Sequence, residues 1–177
     1  MNHLKQIAAK LDEYKLDAML ITSDPGEYYA IGVPGEGMVI VTRSESRYFT
    51  DSRYIEAAGN LVTGAHITMT DRNKNFMVLA EQAVQELGIQ KMGFEDGYVT
   101  VASYNQYSKL PCELVPAQSL VNNLRAAKDE EEIALMKRAQ EKGILEFRAH
   151  DLRDWTHDRH RTPPVRDAAP GRGEDEL

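Results

Sequence analysis

Short apolar runs alternate with segments of helical period through most of this chain, and that alternation leaves few folds open. Leu4, Ile7, Leu11 and Tyr14 recur at helical spacing and give one apolar stripe. Ala18 to Ile21 follows as a continuous apolar run of strand length, closed by a turn at Thr22-Ser23-Asp24-Pro25-Gly26. Met38 to Val41 and Arg47 to Thr50 lie on either side of Ser44-Glu45-Ser46, a spacing that predicts a hairpin. Asp51 or Ser52 is placed to cap a short helix through Tyr54, Ile55 and Ala58, ended by Gly59. Ala65 to Met69 sets His66 and Thr68 against Ile67 and Met69, the pattern of a half-buried strand. Phe76, Leu79, Ala80, Ala83, Val84 and Leu87 make the clearest amphipathic helix, with Gly88 at its end. Lys91 to Glu95 and Glu113 to Val115 read as strands around a helix carrying Val101, Tyr104 and Tyr107. The expected fold is α/β: one domain over residues 1–123, with a mixed sheet of about six strands flanked by helices.

The character of the sequence changes beyond that domain. Residues 124–147 read as a linker and a helix, for Asp129 and Glu132 have capping-box spacing and Glu130 and Glu131 suit a helix N-terminus. From Arg148 to Leu177 there are six Arg and no Lys, whereas Met1 to Phe147 holds six Arg and nine Lys. Leu152, Trp155, Val165 and Leu177 are the only large apolar residues of residues 148–177. Such a segment buries too little to offset its ordering entropy, so a disordered tail is expected. A change of reading frame would produce such a shift in composition.

Charge and cysteine usage narrow the function classes. A net charge of −7 argues against nucleic acid as a partner, since its phosphates select basic faces. No apolar run reaches membrane-spanning length, and no apolar signal region follows Met1, so a cytoplasmic protein with no membrane partner is expected. Cys112 is the only cysteine and has no neighbour that would favour its thiolate, which makes it a packing residue. Gly32, Gly35 and Gly37 lack the spacing and the following helix of a phosphate-binding loop. His66 reads as an exposed or satisfied side chain. In the tail, His150, Asp151, Asp154, His157, Asp158 and His160 offer ligand atoms, but a Pro-containing stretch gives no rigid scaffold for a metal.

Three segments together carry a resemblance. Leu16 to Ser23 continues through Tyr29 to Gly32, with Thr22, Ser23, Tyr29 and Gly32 in register with a Thr-Ser-Pro-x-Asn-x-x-Tyr-Leu-Ser/Thr-Gly block. Phe49-Thr50-Asp51-Ser52-Arg53-Tyr54 matches a Thr-Asp-x-Arg-Tyr block, and Leu124 to Ala139 matches a linker and helix. Gly93-Phe94-Glu95 adds a Gly-hydrophobic-Glu strand. In this order they resemble the N-terminal domain of the creatinase, prolidase and aminopeptidase P metallopeptidases. Asp24, Gly26, Ala30 and Ile31 depart from the first block, and the match ends after Glu141.

The resemblance implies an accessory domain that positions a proline-containing peptide and supports a homodimer. The family's two divalent cations, such as manganese or cobalt, belong to a catalytic domain expected to be missing from this chain. No cofactor, metal ligand or catalytic residue is therefore expected here, and this chain alone should be inactive. Arg53, Tyr54 and Asp51 are the candidate substrate-binding residues, because guanidinium presents a fixed fork of donors to a carboxylate. Their competing roles are structural: Asp51 as a cap, Arg53 as ion-pair partner of Asp51 or a neighbour, Tyr54 as packing. The alternative function is a stand-alone binding module built on the same fold.

Overall fold

The computed structural model describes residues 2–142, so every expectation for the tail, its histidines included, lies outside the described residues. The chain divides into two compact units, Met1–Ala127 and Lys128–Leu177.

In the first unit six strands form one sheet in the order β4-β3-β2-β1-β5-β6. In sequence these are β1 (Ala18–Ile21), β2 (Gly37–Thr42), β3 (Ser46–Thr50), β4 (His66–Met69), β5 (Lys91–Phe94) and β6 (Glu113–Pro116). β2 and β3 form the expected hairpin, in register from Gly37 opposite Thr50 to Val41 opposite Ser46. β1 is antiparallel to β2, while β3–β4, β1–β5 and β5–β6 pair in parallel. The sheet is thus mixed, as the sequence predicts.

The strands at the centre of the sheet read as unbroken apolar runs because helices cover both faces. Met19 and Ile21 of β1 and Val39 and Val41 of β2 join one core, together with Leu4 and Ile7 of α1 (Leu4–Lys10), Tyr29 and Ile31 of α2 (Asp24–Ile31) and Ala58 of α3 (Ile55–Leu61). Ala18, Leu20, Met38 and Ile40 point the other way and pack on Leu79, Ala83 and Val84 of α4 (Phe76–Glu86). Half-buried Cys112 packs against this second core, and burial pushes its thiol pKa up. α5 (Val101–Tyr107) buries no residue completely, although Tyr104 approaches the Phe94 ring at 5.5 Å between centroids.

Several local expectations are corrected. Ser23 to Gly26 is a helix start, not a turn: the Ser23 hydroxyl accepts the Gly26 N–H at 3.0 Å and Pro25 occupies the first turn of α2. Gly32, with φ 78°, ends that helix in the left-handed conformation. α6 (Gln118–Ala126) was not expected at all, and it continues past Asn123 with Leu120 and Val121 buried in the first core. On β4 the expected alternation fails, since His66 and Met69 are both exposed while Ile67 and Thr68 are half-buried. β4 is an edge strand bonded only to β3, so neither of its faces is fully covered.

Gly59 lies inside α3 and does not end it, and a Cβ there would meet nothing within 4 Å. Gly59→Ala should therefore stabilise the unit by about 0.5–1 kcal/mol, read from the urea midpoint. A lower midpoint would mean that α3 lacks the open face described.

In the second unit a helix runs over residues 130–142. Both capping-box bonds form, Asp129 N–H to Glu132 Oε2 at 3.0 Å and Glu132 N–H to Asp129 Oδ1 at 2.8 Å. Leu135 and Met136 on this helix are exposed.

Candidate functional site

The three residues singled out in the sequence meet where β3 runs into α3. Asp51 directly follows Thr50, the last residue of β3, and its carbonyl accepts from the Tyr54 and Ile55 N–H groups at 3.2 and 3.1 Å. Its side chain does not cap α3, whose N-cap Tyr54 has no side-chain bond. Oδ1 of Asp51 instead accepts the Arg53 N–H at 2.8 Å, closing a tight turn that aims Arg53 back at Asp51. The capping expectation fails because three turn residues separate Asp51 from the helix.

The guanidinium then grips two carboxylates. Nε lies 3.2 and 3.0 Å from the Asp51 oxygens, and Nη2 lies 2.6 Å from Asp51 Oδ2 and 2.6 Å from Glu36 Oε2. Among the described residues, Nη1 takes no part. The Arg53 carbon Cζ sits 5.2 Å from the Tyr54 ring centroid, and the Tyr54 hydroxyl reaches Glu36 Oε1 at 3.5 Å, the outer limit of a hydrogen bond. The Arg53 side-chain bond, followed by its backbone N–H, holds the Asp51 carboxyl below its ordinary range. Asp51, and after it Glu36, raises the Arg53 pKa still further. With Arg53 60% and Glu36 61% exposed, such pairs stabilise little. Their value is orientation. Pro25, Tyr28, Pro34, Glu36 and Tyr54 border an open cleft of about 460 Å³ beside the fork.

A larger hollow of about 930 Å³ lies between α1 and the β2–β3 turn, away from this cluster. Of its lining cations Lys5 and Arg43, Arg43 is already bonded to Asp12 and to the Leu16 carbonyl, each at 2.7 Å. No arrangement for acid, base or nucleophilic chemistry is found there.

Two buried carboxylates, Glu27 and Glu95, build the scaffold. Glu27 on α2 is 1% exposed; it accepts the Tyr48 hydroxyl at 2.7 Å and the Gly37 N–H at 2.9 Å. Burial raises its pKa, opposed by those two bonds. Burial likewise raises the pKa of Tyr48. Glu95 follows β5 and accepts from the Thr22 and Ser23 N–H groups, both at 2.9 Å, and from the Ser23 hydroxyl at 2.6 Å. Only the Gly-hydrophobic-Glu resemblance signalled Glu95; nothing in the sequence signalled Glu27. Gly35 and Gly37 pack against Glu27 and Tyr48, a close approach and not a phosphate cradle.

Residues 2–127 do not fit a two-cation centre. Within residues 2–127 no three His, Cys, Asp or Glu ligand atoms gather within 4.8 Å, and the paired carboxylates Asp51 and Glu36 face a guanidinium. Among the described residues, no helix is long and apolar enough to cross a membrane.

Comparison with known proteins adds the wider setting. The Creatinase/Prolidase N-terminal domain family matches residues 3–127. A Bacillus subtilis protein named uncharacterized peptidase YqhT is 30% identical over 139 residues, 77% of this chain and 39% of that protein. The Xaa-Pro dipeptidase from Bacillus anthracis superposes with a TM-score of 0.71 at 29% identity, over 81% of this chain and 42% of that one. The N-terminal domain of cytoplasmic peptidase PepQ from Mycobacterium tuberculosis H37Rv gives 0.61 at 27% identity, over 69% of this chain and 97% of that one. The chain thus spans well under half the length of the first two relatives. A stretch of 31 residues is also 61% identical to a tRNA (guanine-N(1)-)-methyltransferase of Cutibacterium acnes; at 18% of this chain and 13% of that protein it carries no fold.

Proposed function

The chain belongs to the creatinase/prolidase N-terminal domain family, and from that premise we propose that it is the non-catalytic, substrate-positioning and dimerisation domain of an Xaa-Pro peptidase. In this reading a separate catalytic domain holds the divalent cations, and this chain alone hydrolyses nothing. One observation carries it: the family match covers residues 3–127, and a superposition on 69% of this chain takes in 97% of a solved N-terminal domain of a peptidase described as cytoplasmic. A cytoplasmic setting for this chain is part of the proposal. So is the role of residues beyond 127 as a connector. The fully formed capping box at Asp129 supports that role, because a connector has no evident use in a stand-alone binding module.

Within the domain, Asp51, Arg53 and Tyr54 face the substrate. Asp51 and Glu36 hold the fork, and the Nη1 edge is left to meet a peptide carboxylate. No bond-breaking step is assigned to these residues.

Supplied with manganese or cobalt and an Xaa-Pro dipeptide or tripeptide, the purified chain should show no turnover above buffer. Reproducible metal-dependent release of the N-terminal residue would sink the assignment. In a full-length relative bearing the Thr-Asp-x-Arg-Tyr block, replacing its Arg with Ala should lower kcat/KM by roughly tenfold or more, mainly through KM. Unchanged kinetics would return Arg53 to a structural role.

A further inference from the structure

We infer that Glu27, buried beneath the loop that joins α2 to β2, is the positioning residue for the Arg53 fork. The inference takes its functional meaning from the substrate-facing reading of Arg53, but its geometry stands apart from that reading. Arg53 is oriented on one side by its own turn and on the other by Glu36, whose carboxylate takes Nη2 at 2.6 Å. Glu36 belongs to the irregular segment between Gly32 and Gly37, which has no strand or helix of its own. Something else must fix it.

The fixing contacts converge on Glu27. One oxygen holds the Gly37 N–H at 2.9 Å, immediately after Glu36, and the other holds the Tyr48 hydroxyl of β3 at 2.7 Å. Gly35, immediately before Glu36, lies so close that a Cβ there would come within 2.5 Å of both Glu27 Oε1 and Tyr48 Oη. The Thr50 hydroxyl donates to the Glu36 carbonyl at 3.3 Å. Glu36 is therefore clamped on both flanks from below, while its side chain emerges 61% exposed to meet Arg53. A well-packed apolar residue at position 27 would avoid the cost of burying a carboxylate. What the carboxylate adds is direction, through two bonds that fix one loop conformation. A recognition fork needs such support, since its donors must be held to within about 0.5 Å of the working geometry.

The test reads the fork without any substrate. In the ¹⁵N-labelled chain, hydrogen exchange is followed at the Gly37 amide and at the Arg53 Nη2–H group, which Glu36 holds. Glu27→Leu keeps the bulk but removes both acceptor oxygens. Both signals should then exchange about tenfold faster or more, while amides of the second core stay protected. Gly35→Ala, which pushes the loop from the other side, should do the same and carries the test if Glu27→Leu does not fold. Val84→Ala, a destabilising change in the opposite core, should leave Arg53 Nη2–H at its original rate. If the Gly37 amide is released in either loop variant while Arg53 Nη2–H is unmoved, the relay is refuted, as it is if Val84→Ala releases Arg53 equally. Unchanged kinetics on Arg replacement in a full-length relative would instead refute only the substrate-facing role, so the two failures are distinguishable.

Discussion

Replacing Glu95 with Ala should lower the stability of the α/β unit by about 3–4 kcal/mol, moving its thermal midpoint down by roughly 10–15 °C. The carboxylate is 3% exposed and accepts three bonds, from the Thr22 N–H, the Ser23 N–H and the Ser23 hydroxyl. Removing it strands buried donors where β1 passes into α2, and each donor left without an acceptor costs about 1–3 kcal/mol. Water entering the vacated space recovers part of that sum. The Ser23 hydroxyl also caps α2 by accepting the Gly26 N–H, so losing its anchor loosens the first turn of that helix. Glu95→Gln should fall between the two, because an amide supplies one oxygen where the carboxylate supplies two. Urea unfolding of both variants checks this. A loss below about 1 kcal/mol for Glu95→Ala would show that these bonds contribute little net stability.

Glu27→Leu should cost about 2–3 kcal/mol near neutral pH, the smaller figure reflecting the relief of a buried charge. The Tyr48 hydroxyl and the Gly37 N–H lose their acceptor, while the apolar replacement suits the surrounding core. The pH dependence has a definite sign. The folded-state pKa of Glu27 is raised above its ordinary 4.5, by burial first and by the nearby charges of Asp24 and Glu36 last, against the bonds from Tyr48 and Gly37. In that window the folded chain binds the proton more tightly than the unfolded chain, so stability from this group is complete at lower pH and declines as pH rises through the raised value. The stability gap between the parent chain and Glu27→Leu should therefore be widest in mild acid and narrow toward neutrality. Asp51, whose pKa is lowered, acts below that window and cancels in the comparison. Urea midpoints from acid to neutral pH check both parts; a gap that widens with rising pH would mean the buried carboxylate is net stabilised in its charged form.

These two carboxylates also mark the limit of what the sequence alone discloses. Both occur in stretches where a Glu looks like any solvated charge. Thr22 to Gly26 reads as a turn because Pro25 and Gly26 resemble turn chemistry, yet Ser23 followed by Asp24-Pro25 is equally the start of a capped helix, the one observed over Asp24–Ile31. α6 is missed although Ala117, Leu120, Val121 and Leu124 recur at helical spacing and pack in the first core, because polar Gln118, Ser119, Asn122 and Asn123 between them read as a linker. Asp51 and Arg53 were correctly paired, because two residues across a tight turn interact through local geometry. Glu36, their third partner, is 17 residues from Arg53 and could not have been placed beside it.

What the sequence determined by itself is local or periodic: the central strands as unbroken apolar runs, α4 as an amphipathic stripe, and the reciprocal caps at Asp129 and Glu132. Each depends on residues a few positions apart, whose geometry the backbone fixes. Only the tertiary structure decided which polar groups would be buried and satisfied, since the donors of Thr22 and Ser23 meet Glu95 across more than 70 residues. Whether a buried charge is tolerable depends on partners brought together by the whole sheet, and no pattern along the chain records that.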